Sequence, residues 1–339
     1  MKKLPSVLLV LTMILALTAC AVKPTVEEAA EATAAEAAAT EAVAEATAAP
    51  AADDQCFVGL AMHNQTETWA VAFADAFKAA AEAAGCKVAV TDANATASNQ
   101  VSQIEDLVAQ GIDVLVVVPA DYTALGSALK TANDAGVKIV NADSKVVEAD
   151  RNMISCFITA DCYAGGYGIG EYLADKLEPN AIIGGLNYKQ LSVITDRFVG
   201  LADALKDKGR TDVTIVEKDC TDLSAIASYT EDLLTANPTI TAFVCLNDNT
   251  ALSCVGTCKQ LGYNDMMVFG FDGSPAGKQS IADGDMTGSM VYSPIDMAKA
   301  SFNAAYAIWS GGAYEQETLV KMWLISTENI SQFDLTNWS

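Results

Sequence analysis

One rhythm runs through this sequence twice, and it excludes most folds. CFVGLAM (56–62) is an apolar run of strand length. TWAVAFADAFKAAAEAAG (68–85) then places apolar residues at helical spacing until Gly85 stops it. CKVAVTD (86–92), IDVLVVVPA (112–120) and VKIVNADS (137–144) read as strands. Between them, ASNQVSQIEDLVAQG (97–111) and DYTALGSALKTANDAG (121–136) read as helices. IDVLVVVPA is apolar on both faces, as a parallel strand covered by helices on both sides requires. The pattern restarts with the helix CYAGGYGIGEYLADKL (162–177). Strands at 181–187, 212–220, 240–248 and 265–273 then alternate with helices at 194–209, 224–236 and 250–262. A further strand, MTGSMVYS (286–293), precedes a helix over 294–312. This predicts an α/β chain of two doubly wound, Rossmann-like lobes with parallel central sheets. The 339 residues are also more than one hydrophobic core covers.

In such sheets, ligands bind beyond the carboxyl ends of the strands. The stretch VFGFDGSP (268–275) runs apolar residues straight into Asp272, a charge that is expensive to bury without a partner. Asp143, Asn247 and Asp248 end strands in the same way, and the loop HNQTETW (63–69) follows the first strand. Polar groups from both halves therefore converge on one cleft.

The first residues stand apart from this pattern. Met1-Lys2-Lys3 is basic, and the apolar run from Val7 to Leu17 is too short to span a bilayer. It ends in LTAC (17–20), which resembles a bacterial lipobox. Residues 1–20 are thus expected to be a secretory signal cleaved before Cys20, whose thiol takes lipid. Residues 21–55 are rich in Ala, Glu and Thr and have no aromatic before Phe57, so they read as a disordered tether. The net charge of −23 argues against nucleic acid and against electrostatic attachment to anionic lipid.

HNQTETW, VVVPAD (116–121), Asp143-Ser144, RFVGLADAL (197–205), LNDNTAL (246–252) and GFDGSPAG (270–277) occur in an order and spacing that resemble a known family. This is the periplasmic-binding-protein type I family, in the branch of ribose- and galactose-binding proteins that serve ABC sugar importers. The resemblance covers about Phe57 to about Ile325. It implies one lobe from 56–159 with 293–319 and another from 160–292 with 320–339. Three crossings near Ala160, Tyr292 and Leu319 would join them, and the clamp would close on ligand.

The resemblance also implies roles. Trp69 would stack on the apolar face of a sugar, while Asn64 and Thr66 bond its hydroxyls. Asp143 would accept and Arg197 would donate. Asn247 and Asp272 would reach in from the second lobe, and Tyr292 would close the site near the hinge. Each has a structural alternative. Trp69 could be core, and Asp143 and Asn247 could be helix caps, a helix following Asn247 at once. Arg197 could pair with Asp196 or Asp203, and Asp272 could cap the turn into GSPAG. The chain departs from the family where Ser144-Lys145 stands in place of an arginine, with Lys145 a substitute. It departs again at Leu223, where a second stacking aromatic is expected. His63 and Glu67 are unusual in their loop.

Implied partners are a small sugar or polyol and a membrane permease with its ATPase. The protein would be a lipid-anchored, extracytoplasmic monomer without a cofactor. The rival reading is a sensory one, delivering a sugar-like or furanose-like signal to a chemoreceptor or sensor kinase. An enzyme is not expected. There is one histidine, with no nucleophile motif, no GxGxxG and no Walker loop. The pair Asp143 and Asp272 is accounted for as binders. No metal site is expected, because Cys254 and Cys258 lack a second Cys/His pair. Cys56 and Cys86 open neighbouring parallel strands at equivalent places, so they are candidates for a disulfide.

Overall fold

The computed structural model describes residues 55–338. The expected signal peptide, Cys20 and all but the last residue of the expected tether lie outside the described residues.

The first half supplies β1 (Phe57–Met62), β2 (Lys87–Asp92), β3 (Val114–Val117), β4 (Lys138–Ala142) and β5 (Cys156–Ala160). Helices α1 (Thr68–Ala83), α2 (Ala97–Ala109) and α3 (Gly126–Asp134) connect the first four of them. The second half supplies β6 (Ile182–Asn187), β7 (Thr214–Asp219), β8 (Ile240–Cys245), β9 (Met267–Asp272) and β10 (Gly288–Tyr292). Its helices are α4 (Cys162–Lys176), α5 (Ser192–Asp207), α6 (Ile226–Ala236), α7 (Asp248–Gln260) and α8 (Pro275–Ala282). The chain closes with α9 (Pro294–Ser310), β11 (Glu317–Val320) and β12 (Met322–Ser326). Two six-stranded sheets result, ordered β11-β5-β4-β3-β1-β2 and β12-β10-β9-β8-β6-β7. The central strands β1, β3 and β8 are almost wholly buried, which is why they read as unbroken apolar runs.

The chain passes between the sheets three times, each time through one residue. Asp161 links β5 to α4, Ser293 links β10 to α9, and Lys321 links β11 to β12. Asp161 and Ser293 also cap the helices they open, accepting from the N–H of Ala164 at 2.9 Å and of Asp296 at 3.3 Å.

One strand departs from the all-parallel expectation, because β12 pairs antiparallel with β10. The cause is the third crossing. β11 runs parallel to β5 and so ends at the cleft. With no helix to carry it round, the chain enters the second sheet from the cleft side and must run the opposite way. A second departure is the start of α3, five residues later than its sequence pattern suggests. The Asp121 carboxylate accepts from the Thr123 N–H at 2.8 Å and its hydroxyl at 2.7 Å, which holds the chain in a turn.

Helices α4 and α5 pack backbone to backbone. A Cβ on Gly166 would lie 1.8 Å from the Arg197 carbonyl oxygen, and one on Gly200 would lie 2.0 Å from that of Tyr163. Only glycine allows this approach, and it sets where Arg197 stands.

The eight cysteines of the described residues are free and buried. Cys56 and Cys86 are neighbours, as expected from their strands, with thiols close enough to hydrogen-bond. Both stand as thiols rather than as a disulfide. Burial raises the pKa of each, so little thiolate is present to start an exchange.

Candidate functional site

The carboxyl ends of both sheets face each other across a small cavity. Its walls include His63, Asn64, Glu67, Trp69 and Asp143 from the first lobe, and Tyr188, Arg197, Leu223, Asn247 and Asp272 from the second. Tyr292 lies at the second crossing. The cavity is enclosed by side chains of both lobes. The lobes are closed on it. The Tyr122 N–H donates to the Gln190 carbonyl, the Ser192 hydroxyl to the Lys145 carbonyl, and the Asn249 amide to the Thr68 hydroxyl, each at 3.4 Å.

One wall is aromatic. The Trp69 and Tyr292 rings stack at 5.3 Å and 16°, and the indole N–H donates to the Tyr292 carbonyl at 3.0 Å. Trp69 also stacks on Phe73 at 5.3 Å, so it is core on one side and cavity wall on the other. The second-lobe aromatic that seemed absent at Leu223 is present elsewhere. Tyr188 follows β6 and lines the cavity, its hydroxyl fixed on Gln190 Oε1 at 2.7 Å.

Asp143 and Asp272 end β4 and β9 with positive φ, 65° and 107°. A residue other than glycine holds that conformation only at a cost of roughly 1–3 kcal/mol. Both carboxyls are 6% exposed. Among the described residues, Asp143 Oδ1 has no hydrogen-bond partner, and no side-chain hydrogen bond reaches Asp272. Burial lifts Asp143 to about 6, against the pull of the Arg197 guanidinium. Burial, with Asp248 adding to it, raises Asp272 well above the usual carboxylate range.

Arg197 is 2% exposed, which excludes a surface pair with Asp196 or Asp203. Its Nη1 donates to the Leu246 carbonyl, and its Nη2 donates to Cys162 Sγ at 3.9 Å. The guanidinium lies over the rings of Phe271 and Tyr292, 4.2 and 5.2 Å from their centroids. Nε is left buried without a partner. Lys145 does not substitute for a second arginine. It pairs with Glu317 at 2.7 Å, away from the cavity.

Asn247 is both cap and wall. Its Oδ1 accepts from the Thr250 N–H at 2.9 Å, which leaves Nδ2 for an occupant. Asn64 behaves alike: Oδ1 accepts from the N–H groups of Thr66 and Glu67, each at 3.1 Å. That turn corrects one expectation. It leaves Thr66 exposed and outside the cavity and directs Glu67 to the cavity instead. His63 also faces it, with Nδ1 unpartnered; burial holds the imidazole near 4, hence neutral at pH 7.

Asp248 is a support rather than a wall. Its oxygens accept from the Ser274 N–H at 2.7 Å, the Ser274 hydroxyl at 2.9 Å and the Ser289 hydroxyl at 2.6 Å. This pins the turn after β9 that carries Asp272. Burial still lifts Asp248 to about 6.

A family model described as a periplasmic binding protein domain matches residues 58–313, well over half the chain. The chain is a periplasmic binding protein. It is 28% identical to the ribose import binding protein of Bacillus subtilis, over 75% of this chain and 82% of that one. The galactofuranose-binding protein of Escherichia coli is 25% identical over 78% and 86%. Among solved structures, an ABC transporter solute-binding protein from Mycobacterium smegmatis with bound glycerol matches with a TM-score of 0.77. It is 28% identical, covering 82% of this chain and 96% of that one. By their names, the two curated relatives bind ribose for import and galactofuranose, and the solved structure is the solute-binding protein of an ABC transporter.

The titrating groups of the cleft make the stability of this binding protein pH-dependent. Folding raises Asp143, Asp248 and Asp272, so their stabilising effect is full below the unfolded carboxyl range and fades as pH rises, through about 6 for Asp143 and Asp248 and higher for Asp272. His63 acts in the opposite sense, since the unfolded imidazole binds a proton that the folded one refuses until about pH 4. With Glu67 raised in the same sense, four groups against one leave net proton uptake on folding. The ligand-free protein therefore gains stability as pH falls from about 7 to 4.5, by on the order of 1–2 kcal/mol per pH unit. Thermal melts across that range measure it, and a melting temperature that falls with pH contradicts it.

Proposed function

We propose that this protein captures one small sugar or polyol between its lobes and delivers it to an ABC permease and its ATPase. The observation that carries this reading is the closed cavity itself. Stacked aromatics form one wall, and buried hydrogen-bonding groups from both lobes point into it without partners. Trp69 and Tyr292 offer a face for sugar C–H groups. Asp143 and Asp272 accept from hydroxyls, while Arg197 Nε and the amides of Asn64 and Asn247 donate.

The rest follows from the amino-terminal sequence. Cleavage before Cys20 and lipid on its thiol hold a monomer at the outer face of a membrane, with 21–55 as the tether. The lobes divide at Asp161, Ser293 and Lys321. The sensory reading has one point in its favour. A fructose-binding periplasmic domain of a hybrid two-component system shares the fold, with a TM-score of 0.76, but at 20% identity that likeness carries the fold alone. The ABC relatives extend to the sequence, so the transport reading is preferred.

A thermal-shift screen of the purified protein against pentoses, hexoses, furanose-prone sugars and polyols tests the reading. A ligand that binds only the folded state raises the melting temperature. At least one member of the panel is expected to do so. In Trp69→Leu, its affinity falls by about ten- to a hundredfold as the stacking wall is lost. Absence of any shift on a cooperatively melting protein would overturn the sugar reading.

A further inference from the structure

Carboxyls outnumber cations at the cavity. Glu67, Asp143 and Asp272 all line it, and among the described residues no ion pair reaches any of them. The only guanidinium there, Arg197, already gives both Nη groups to the protein. Lys145 is held by Glu317, and His63 is neutral at pH 7. Beyond the effect of burial, Asp143 raises Glu67, and both raise Asp272, so the three carboxyls share one region of space. Asp143 is 6% exposed, with Oδ1 buried and unpartnered on the cavity side.

We propose that the ligand is an amino sugar or amino polyol whose ammonium group sits among Glu67, Asp143 and Asp272. The proposal rests on the sugar-binding reading and narrows it. An ammonium brings three donors and no acceptor, and among the described residues the three carboxyls have only Ser144, 3.4 Å from Asp143 Oδ2, and Asn64, beside Glu67, as side-chain donors, with Asp143 Oδ1 left open. It also supplies the missing positive charge, and charges buried without a counter-ion are strongly disfavoured. A neutral hydroxyl satisfies the hydrogen bonds but not the charge. A uronic acid or sugar phosphate adds negative charge to a cavity already crowded with carboxyls and is repelled. Glu67 has no cation beside it and is the residue that tips the balance.

The test measures dissociation constants for the purified protein at pH 7.5 by titration calorimetry. Glucosamine, galactosamine and mannosamine are each compared with their parent hexose and with their N-acetyl derivative, and 1-amino-1-deoxysorbitol is compared with sorbitol. At least one amine is expected to bind about tenfold or more tighter than its parent. The N-acetyl form, which keeps the nitrogen but not the charge, loses that advantage. In Glu67→Gln, checked for a cooperative melt, the ratio of amine to parent affinity shrinks by about fivefold or more. Parents that bind as tightly as their amines overturn the proposal and leave the sugar reading standing. A panel in which neither amines nor neutral sugars bind overturns both.

Discussion

Replacing Asp272 with asparagine raises the melting temperature of the ligand-free protein at neutral pH and weakens ligand binding by about a hundredfold. Both effects have one cause. Asp272 is 6% exposed, has no side-chain hydrogen bond among the described residues, and lies close enough to Asp248, Glu67 and Asp143 for each to raise its pKa. A buried carboxylate in that setting is destabilising until a ligand donates to it. Asparagine keeps the shape and removes the charge, which stabilises the ligand-free fold by about 1–3 kcal/mol. Loss of one charged acceptor in a desolvated site weakens binding by a similar amount, or about a hundredfold. The gain in stability is largest near pH 7 and vanishes below about pH 4, where Asp272 is protonated in the unfolded chain as well as in the folded one. Thermal melts and titrations with whichever ligand the screen finds measure both. A variant that is less stable than wild type at pH 7 would show that Asp272 supports the fold instead of waiting for a ligand.

Gly166→Ala has the largest expected effect on stability. In an exposed helix interior, glycine to alanine stabilises by roughly 0.5–1 kcal/mol. Gly166 is different, because its Cβ would stand 1.8 Å from the carbonyl oxygen of Arg197. The obstacle is backbone, so no rotamer change relieves it, and α4 must move off α5. We expect a loss of about 3 kcal/mol or more, which is a fall of about 6–12 °C in melting temperature. The same movement displaces Arg197, so binding weakens too. Gly256 is the control. It lies in α7, exposed, and an added Cβ meets nothing within 4 Å, so Gly256→Ala raises stability slightly. Equal melting temperatures for the two variants would refute the packing argument.

Much of the site was legible because strand ends are legible. Asp143, Asn247 and Asp272 each follow an apolar run, and all three line the cavity. Tyr188 obeys the same rule, following IIGGLN (182–187), and was missed because the second aromatic was sought near Leu223. Thr66 was misjudged for a local reason. The Asn64 side chain turns the loop by bonding two successive N–H groups, and that turn brings Glu67 to the cavity in its place. Composition cannot show such a turn, since Asn64 could equally have pointed both polar atoms at a ligand.

The sequence by itself determined the two doubly wound lobes, because periodicity and glycine stops act along the chain over a few residues at a time. It also determined which strand ends carry polar groups. Only the tertiary structure decided what those groups do. Whether Asn247 caps a helix or faces a ligand depends on which of its atoms a neighbour uses, and the structure gives it both tasks. The reversed direction of β12 came from a one-residue crossing between sheets. The excess of negative charge at the cavity appeared only when Lys145 was found paired with Glu317 and the Arg197 donors were found engaged. Those contacts join residues far apart in the chain, and local patterning carries no information about them.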